Sequence, residues 1–304
     1  MLSYDNVKDE PLSFRACTGL DKPEFEKLLI PFRKAWNTYI HEKHIKDKIR
    51  KRKYGGGRKP ILSFIEEKLF FILFYFKTYP LQEVIALLFD MSQSQANVWI
   101  HKLSHVLKIA LEEENLLPER NPQHLEELLA ACTSLEFIID GTERRRQRPK
   151  DPQMQKTYYS GKKKAHTYKN NIIVDVHERK IQYMSQTYEG KKHDKKICDE
   201  ENLTFPAYCI LFKDTGFQGY EPPNVLTYQP KKKPKRKEHT EEDTFFNTLI
   251  SSVRVTIEHV LSGVKRCRIV KDVFRNTQEC FADLVMEIAC GLHNLRAECR
   301  YAKL

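Results

Sequence analysis

The spacing of the apolar residues changes once along the chain, and this change limits the folds that the 304 residues can adopt. Up to about residue 111 the apolar residues recur every three or four positions, which is the period of amphipathic helices. After an acidic, proline-containing stretch at 112–128, short apolar runs typical of buried strands follow, and helical spacing returns near 243–265 and 277–299. This order predicts an all-α region followed by an α/β domain with a mixed sheet.

The second part of the helical region has the pattern of a helix-turn-helix. Leu81–Phe89 predicts a short amphipathic helix, Asp90 a turn, and Ser92 the N-cap of a longer helix. Amide side chains suit base edges because they donate and accept hydrogen bonds together. The residues expected to face DNA are polar residues of this second helix: Gln93, Gln95, Asn97, His101 and Lys102. A plain helical hairpin is the alternative that the same spacing allows.

The balance of charges favours a polyanionic partner. The chain has 52 Lys and Arg residues against 41 Asp and Glu, a formal net charge of +11, which indicates nucleic acid before membrane. The longest strongly apolar run, Leu69–Phe76, is too short to span a bilayer, and the N-terminal residues lack the apolar segment of a signal peptide. We therefore expect a cytoplasmic, nucleoid-associated protein that binds double-stranded DNA and no membrane.

Several basic segments are candidates for contacts with phosphates. The stretch Lys43–Lys59 is either a solvated linker or an arm that follows the DNA backbone. The run Lys231–Lys237 suits a loop on nucleic acid as well as a nuclear-localisation patch. The individual candidates in the second half of the chain are Arg144, Arg145, Arg146, Arg148, Lys162, Lys163, Lys164, His166, Lys169, Lys231, Lys232 and Lys233.

Three acidic residues are candidates for catalysis. Asp140 and Asp214 each follow an apolar strand-like run and precede a glycine within two positions, so we expect them to converge at one crevice of the sheet. Glu258 lies at the edge of the apolar side of a helix. Taken singly, each has an ordinary alternative, a turn residue for the aspartates and a surface residue for the glutamate. Three carboxylates suit Mg²⁺ or Mn²⁺, and two such ions can assist phosphoryl transfer.

The eight cysteines have no zinc-ligand spacing, so reduced thiols are expected and a structural zinc site is the weaker alternative.

Five motifs, in this order, resemble one family. They resemble the bacterial DDE-type transposases of the insertion-sequence-five family, in the subgroup whose catalytic domain is the DDE superfamily endonuclease, similar to the Harbinger type. The motifs are DGTE at 140–143, YYSGKKKAHTYKN at 158–170, GKKHD at 190–194, KDTGFQGY at 213–220 and RVTIEHVLSGVKRCRI at 254–269. The segment Gly55–Leu111 resembles the helix-turn-helix that precedes this domain in the family, so the resemblance covers nearly the whole chain.

The resemblance implies an RNase H-like fold, a mixed sheet with flanking helices. Asp140 would lie on the first strand, Asp214 after the fourth and Glu258 on the following helix, and together they would hold the divalent metal. The glutamate signature of the family is Tyr, two residues, Arg, three residues, Glu, six residues, Lys. Arg254, Glu258 and Lys265 match it, and Ser251 stands at the Tyr position, which leaves the acids intact but removes any contact made by the Tyr.

Two further acids lie in the matched motifs. Glu143 is expected to face the site or to pair with the arginines beside it. Asp194, with His193, is expected to cap the helix that begins there. Metal ligation by either is the less favoured alternative.

Four segments are expected: an N-terminal helical region with the basic arm (1–54), the helix-turn-helix (55–112), a connector (113–133) and the catalytic domain (134–304). The favoured function is a transposase that cuts at the terminal inverted repeats of an insertion sequence and joins the freed 3′-OH to target DNA. The alternatives are a decayed or domesticated DNA-binding protein, and an RNase H-like nuclease that cuts without joining. A dimer is expected from the resemblance, because two element ends must be held together.

Overall fold

The computed structural model describes residues 1–46, 60–232 and 240–301. Most of the predicted basic arm, together with Lys233 and the rest of its run, therefore lies outside the described residues. The chain divides into two compact units. The helical unit comprises Met1–Leu117, Arg266–Ile269 and Leu284–Arg296, and the sheet unit comprises Pro118–Lys265, Val270–Asp283 and the residues from Ala297. The four predicted segment boundaries remain predictions.

The helical unit is built from six helices of the N-terminal part of the chain and a piece of the C-terminal helix. The six are α1 Tyr4–Val7, α2 Pro11–Thr18, α3 Lys22–Ile40, α4 Ile65–Thr78, α5 Gln82–Leu88 and α6 Gln93–Glu113. Asp21 caps α3 through a capping box with Glu24. Helix α4 carries a continuous buried run from Lys68 to Phe76, so it lies inside this unit.

The turn between α5 and α6 has the predicted form. Asp90 adopts a left-handed backbone with φ of 53°, which Asp tolerates better than most residues. Ser92 caps α6 by accepting a hydrogen bond from the Gln95 backbone N–H. The apolar face of α6 is buried through Ala96, Ile100, Leu103, Val106 and Leu107. Trp99 is only half-buried, with its ring centroid 6.0 Å from that of Trp36.

In the described part of the chain, the sheet unit contains seven strands and the remaining α-helices. The strands are β1 Glu136–Arg145, β2 Tyr159–Ser160, β3 Ala165–Asp175, β4 Ile181–Met184, β5 Tyr188–Glu189, β6 Ile210–Lys213 and β7 Leu226–Tyr228. The helices are α7 Leu125–Ala130, α8 Pro152–Tyr158, α9 Asp194–Glu201, α10 Glu241–Val264, α11 Arg268–Lys271 and α12 Phe281–Tyr301, of which the last two also supply residues to the helical unit.

Strand β1 lies at the centre of a mixed sheet. It pairs antiparallel with β3 on one side and parallel with β6 on the other, and β6 continues in parallel to β7. Strands β4 and β5 pair with β3, and β3 and β4 form a hairpin around Arg179. The predicted class, a mixed α/β sheet with flanking helices preceded by a helical region, is confirmed.

One face of the sheet carries an apolar core. Phe137 and Ile139 of β1 are buried in a cluster with Leu125 and Leu129 of α7 and Leu211 of β6.

All eight cysteines are free thiols. Among the described residues, no helix combines the length and apolar composition needed to cross a membrane.

Candidate active site

Asp140 and Asp214 occupy equivalent positions at the end of the ladder between two neighbouring strands. The parallel ladder between β1 and β6 ends with the pair Ile139 and Lys213, and each aspartate is the next residue on its strand. Because parallel strands run in the same direction, this register places the two carboxylates side by side at the end of β6. The sequence predicts this convergence from the two apolar runs.

The position of Asp140 in its strand differs from the sequence-based expectation. Asp140 lies in the middle of β1, not after its end, because β3 pairs with β1 from Phe137 to Arg145. In that ladder Asp140 is opposite Ile172. The apolar run marks only the part of β1 that is buried in the core, whereas the polar second half is held in the sheet by β3.

The two carboxylates differ in their surroundings. Burial raises the pKa of Asp140 to about 6, and the nearby Asp214 charge adds to the rise, while Arg254 and the Gly141 backbone N–H oppose it. Asp214 Oδ1 accepts a hydrogen bond of 2.7 Å from the Thr215 backbone N–H and lies 3.5 Å from Arg254 Nη1. A cation of α10 therefore lies against the two aspartates and partly balances their charge.

Helix α10 turns one face toward these aspartates. Arg254, Glu258 and Lys265 fall within about 40° of one another around the helix axis. Arg254 contacts Asp214, and Lys265 interacts electrostatically with Asp140, although burial and the like charge of Lys163 lower the Lys265 pKa. Glu258 lies between them in sequence and is exposed, and no hydrogen bond or ion pair among the described residues joins it to Asp140, Asp214 or Arg254.

Asp194 is a third carboxylate close to both aspartates, and its predicted capping role is wrong. It is the first residue of α9, and the N-cap residue His193 makes no side-chain capping bond. The Asp194 carboxylate instead lies 3.1 Å from Lys169 Nζ, which is also 3.6 Å from Glu143 Oε1. No local sequence pattern predicts this cluster, because its members come from β1, β3 and α9.

Gly141 and Gly216 are required for the close approach of Asp194. A Cβ at Gly141 would lie 2.5 Å from Asp194 Oδ1, and one at Gly216 would lie 2.9 Å from Oδ2. Each glycine follows a catalytic candidate within two residues. Glycine at both positions lets the half-buried Asp194 carboxylate lie against the backbone that carries Asp140 and Asp214.

We expect Gly141→Ala to destabilise the protein by about 1–3 kcal/mol, because the added methyl displaces Asp194 from its ion pair with Lys169. Thermal or urea unfolding of the single variants and of Gly141→Ala with Asp194→Ala measures the coupling between the two positions. The double variant is expected to recover part of the loss. Strictly additive effects would show that the methyl does not meet Asp194.

The predicted phosphate-binding residues divide into buried and accessible groups. Arg144 is 3% exposed and donates to the Ala282 carbonyl oxygen and Asn170 Oδ1, so its predicted phosphate contact is wrong. Arg146 lies between two tyrosines, and Lys169 is buried. Lys162, Lys163 and Lys164 form an exposed turn, and His166 is half-buried on β3. Lys231 pairs with Asp243 at 2.6 Å, and Lys232 donates to Gln218.

The polar residues of α6 are partly engaged with neighbouring side chains. Gln93 and Asn97 both donate to Gln82 Oε1 of α5, at 2.6 and 3.2 Å. Gln95 accepts from the Ser92 backbone N–H in the capping box. His101 and Lys102 are half-buried, and burial lowers the pKa of both. Their roles in binding DNA remain predictions.

The donor atoms at the sheet edge fit a hard divalent cation. Asp140 and Asp214 offer carboxylate oxygens, which Mg²⁺ and Mn²⁺ prefer over nitrogen or sulfur ligands. Within the part of the chain that the structure describes, no three His, Cys, Asp or Glu side chains are already grouped to hold a metal ion together. The pair of aspartates fits such an ion, because Mg²⁺ is commonly bound by one or two carboxylates together with waters and substrate phosphates.

Comparison with known proteins gives matches for both parts of the chain. Residues 139–294 match the family described as DDE superfamily endonuclease, and residues 62–113 match the family described as helix-turn-helix of DDE superfamily endonuclease. The chain is 27% identical over 250 residues to a protein of Microchaete diplosiphon described as a probable transposase for insertion sequence element IS702, covering 80% of this chain and 84% of the relative. No solved structure is significantly similar.

Proposed function

Because the chain belongs to the family of DDE superfamily endonucleases, we propose that it is a transposase that cuts DNA at the ends of an insertion sequence and joins the freed 3′-OH to target DNA. The observation that carries the proposal is the adjacency of Asp140 and Asp214 at the end of β6, with Arg254 against Asp214. The relative described as a probable transposase supports the strand-joining step.

The chain's own residues take three roles in this proposal. Asp140 and Asp214 hold divalent cations, Mg²⁺ or Mn²⁺, with Glu258 of α10 as the third ligand. Bound there, such ions activate a water or hydroxyl and stabilise the leaving oxygen of a phosphodiester. Arg254 and Lys265 hold phosphates on either side of Glu258. In support, Arg254 Nε is buried without a hydrogen-bond partner among the described residues.

The order of steps follows from the chemistry. A water first attacks the phosphodiester at the element end and releases a 3′-OH, and this hydroxyl then attacks a phosphodiester of the target. Each attack exchanges one P–O bond for another, so no oxidant or external energy source is needed. Two element ends must be held at once, which supports a homodimer or higher assembly in the synaptic complex.

Recognition of the element ends is assigned to α6. We expect replacing Gln93 and Asn97 with Ala to lower the preference for terminal-repeat DNA over random DNA, by about 1–3 kcal/mol per bidentate base contact. In the structure both side chains donate hydrogen bonds to Gln82, and these bonds must break before either side chain can bond to a base edge. Fluorescence anisotropy with the two DNAs measures the ratio.

Val98→Ala is the matched control, because Val98 is an exposed residue of the same helix and offers no hydrogen bond. Gln95→Ala is unsuitable as a test, since it also removes the capping box. An unchanged ratio in the Gln93 and Asn97 variants would mean that α6 serves only in packing.

Two assays distinguish the proposal from its alternatives. A nicking assay with Mg²⁺ on DNA carrying the terminal repeats separates an active enzyme from a domesticated DNA-binding protein, the alternative that Ser251 keeps open. A strand-transfer assay with pre-cut ends separates a transposase from a nuclease that does not join. Activity is expected in both assays. The proposal also places the protein in the cytoplasm, associated with the nucleoid.

A further inference from the structure

We infer that a cationic cavity of the sheet unit binds an unpaired stretch of the DNA substrate, with phosphates on three basic side chains and a base against Tyr159. The inference rests on the proposed function, because it takes DNA as the substrate. The cavity has a volume of about 710 Å³ and is formed by α8, the β2–β3 hairpin and the segments around them. The residues that carry the argument are Arg148, Lys156, Tyr159, His166 and Lys191.

Among the described residues, no carboxylate neutralises the basic residues of this cavity. In the described ranges, Arg148, Lys156 and Lys191 form no ion pair with a carboxylate, and no Asp or Glu lines the cavity. By contrast, Lys192, the next residue along the chain, pairs with Glu200. Three cations without carboxylate partners among the described residues, around one concave surface, attract a polyanion, since fields of one sign add inside a cleft.

Arg148 is held in position by a neutral group. Gln155 Oε1 accepts from Arg148 Nε at 3.0 Å and from Nη2 at 2.7 Å, and Gln155 Nε2 donates to the Pro149 carbonyl oxygen at 2.9 Å. A carboxylate at position 155 would hold the guanidinium as firmly but would neutralise it. The amide fixes the planar group, and the charge remains available for a phosphate.

Tyr159 supplies an aromatic wall. Its side chain is 45% exposed, and its ring centroid lies 5.6 Å from that of His166, its partner in the β2–β3 ladder. The neighbouring Tyr158 and Tyr168 are occupied by the Arg146 guanidinium, at 4.1 and 4.6 Å from their centroids.

A groove that combines basic residues with an exposed aromatic ring binds single strands, because an unpaired base can stack on the ring. Bases inside a duplex have both faces covered by their neighbours. The combination found here therefore selects unpaired nucleotides over a continuous duplex.

The cavity lies within reach of a DNA strand that contacts the aspartates. Asp140 is opposite Ile172 in the β1–β3 ladder, and His166 is on the same strand β3. The separation of six residue steps from His166 to Ile172 corresponds to roughly 20 Å of extended strand, which is about six nucleotides of DNA at roughly 3.4 Å each. The turn with Lys162, Lys163 and Lys164 lies beside the cavity and adds positive charge.

The test compares three DNA probes bound to the full chain in the presence of a chelator, which prevents cleavage. The probes are a blunt duplex, the same duplex with a short single-stranded 3′ extension, and that extension made abasic. The blunt duplex lacks the phosphates of the extension and is expected to bind most weakly. The wild-type chain is expected to bind the base-containing extension about tenfold more tightly than the abasic one, since stacking one base on an aromatic ring contributes about that much. Tyr159→Ala should abolish the difference and Tyr159→Phe should keep it.

The contribution of the basic residues is measured by the strength of DNA binding and its dependence on salt. Lys156→Gln and Lys191→Gln should weaken binding of both extended probes and reduce the slope of log K against log salt by about one each. Lys271→Gln and Tyr208→Ala are the matched controls, because both residues are exposed in the sheet unit and lie outside the cavity. Each variant is first checked by a thermal melt.

The outcomes separate this inference from the proposed function. If the wild-type chain binds all three probes equally, or if Tyr159→Ala weakens the blunt duplex as much as the extended one, the cavity assignment is wrong. In either case metal-dependent cleavage that is lost in Asp140→Asn would still support the transposase. A wild-type chain that binds none of the probes overturns both.

Discussion

Asp140→Asn is expected to abolish cleavage of terminal-repeat DNA, by at least about a thousandfold, and to leave DNA binding nearly unchanged. An amide keeps the shape of the side chain but loses the negative charge that attracts a divalent cation. Asp214→Asn is expected to act in the same way, because the two residues lie side by side at the end of β6. Nicking and anisotropy assays on the same preparations separate catalysis from binding.

Asp199→Asn is the matched control for these variants. It removes one carboxylate from an exposed i, i+4 ion pair with Lys195, and such surface pairs contribute little to stability. Its cleavage rate should equal that of the wild-type chain. Normal nicking by either Asp140→Asn or Asp214→Asn would show that these aspartates are not the catalytic pair.

Asp140→Asn should also stabilise the chain in the absence of divalent cations. The Asp140 pKa is raised from its ordinary value of 3.8 to about 6, mainly by burial. Between these pH values the folded chain binds more protons at this position than the unfolded chain, so stability falls as pH rises and levels off above about 6. Asn carries no charge to bury, so the gain of Asp140→Asn should grow over this window to at most about 3 kcal/mol.

Urea unfolding in a chelator at pH 4.5 and at pH 7, chosen as about the two ends of this window, measures the effect. An equal free-energy difference between Asn variant and wild type at both pH values would mean that Asp140 is solvated like an ordinary surface carboxylate. Added Mg²⁺ should stabilise the wild-type chain and not the variant, because ligands that bind only the folded state stabilise it.

Glu258→Gln is the second substitution with a large expected effect, loss of cleavage of at least about a hundredfold with stability changed by less than about 0.5 kcal/mol. Glu258 is exposed and makes no ion pair among the described residues, so its removal costs the fold little. Its position on the helix face of Arg254 and Lys265 places it within reach of the aspartates. A merely structural role would change stability and leave the rate alone.

His259→Gln is the control for this variant, since His259 is the next residue of α10 and is also exposed. Arg254→Ala and Lys265→Ala should instead weaken binding of element-end DNA. A Glu258→Gln protein that cuts at the wild-type rate would remove Glu258 from the proposed metal ligands, and Asp194 would become the candidate to replace it, because its carboxylate already lies beside Gly141 and Gly216.

Local signals in the sequence were sufficient for the elements of the fold. The N-cap at Ser92 and the turn at Asp90 each depend on residues a few positions apart, and the structure has both of them. The order of the apolar runs also predicted the mixed sheet. Such features are readable because propensity, capping and hydrophobic period act over one or two helical turns or a single strand.

The details of the site were decided by contacts between distant parts of the chain. The sequence places Asp140 and Asp214 after apolar runs, but only the ladder between β1 and β6 sets them side by side, and only β3 extends β1 beyond Asp140. Asp194 contacts the site through glycines more than 20 residues away on either side. Strand register is a property of the assembled sheet, which no short window of sequence contains.

The sequence determined that the chain is basic, but the tertiary structure decided which cations are available to a ligand. Arg144 and Arg148 lie four residues apart in one arginine-rich run and have opposite fates. Arg144 is buried and satisfied by the Ala282 carbonyl oxygen and Asn170, whereas Arg148 is exposed and held by a neutral amide. The difference arises because a buried charge must be satisfied by whatever the fold brings beside it, and that neighbour comes from far along the chain.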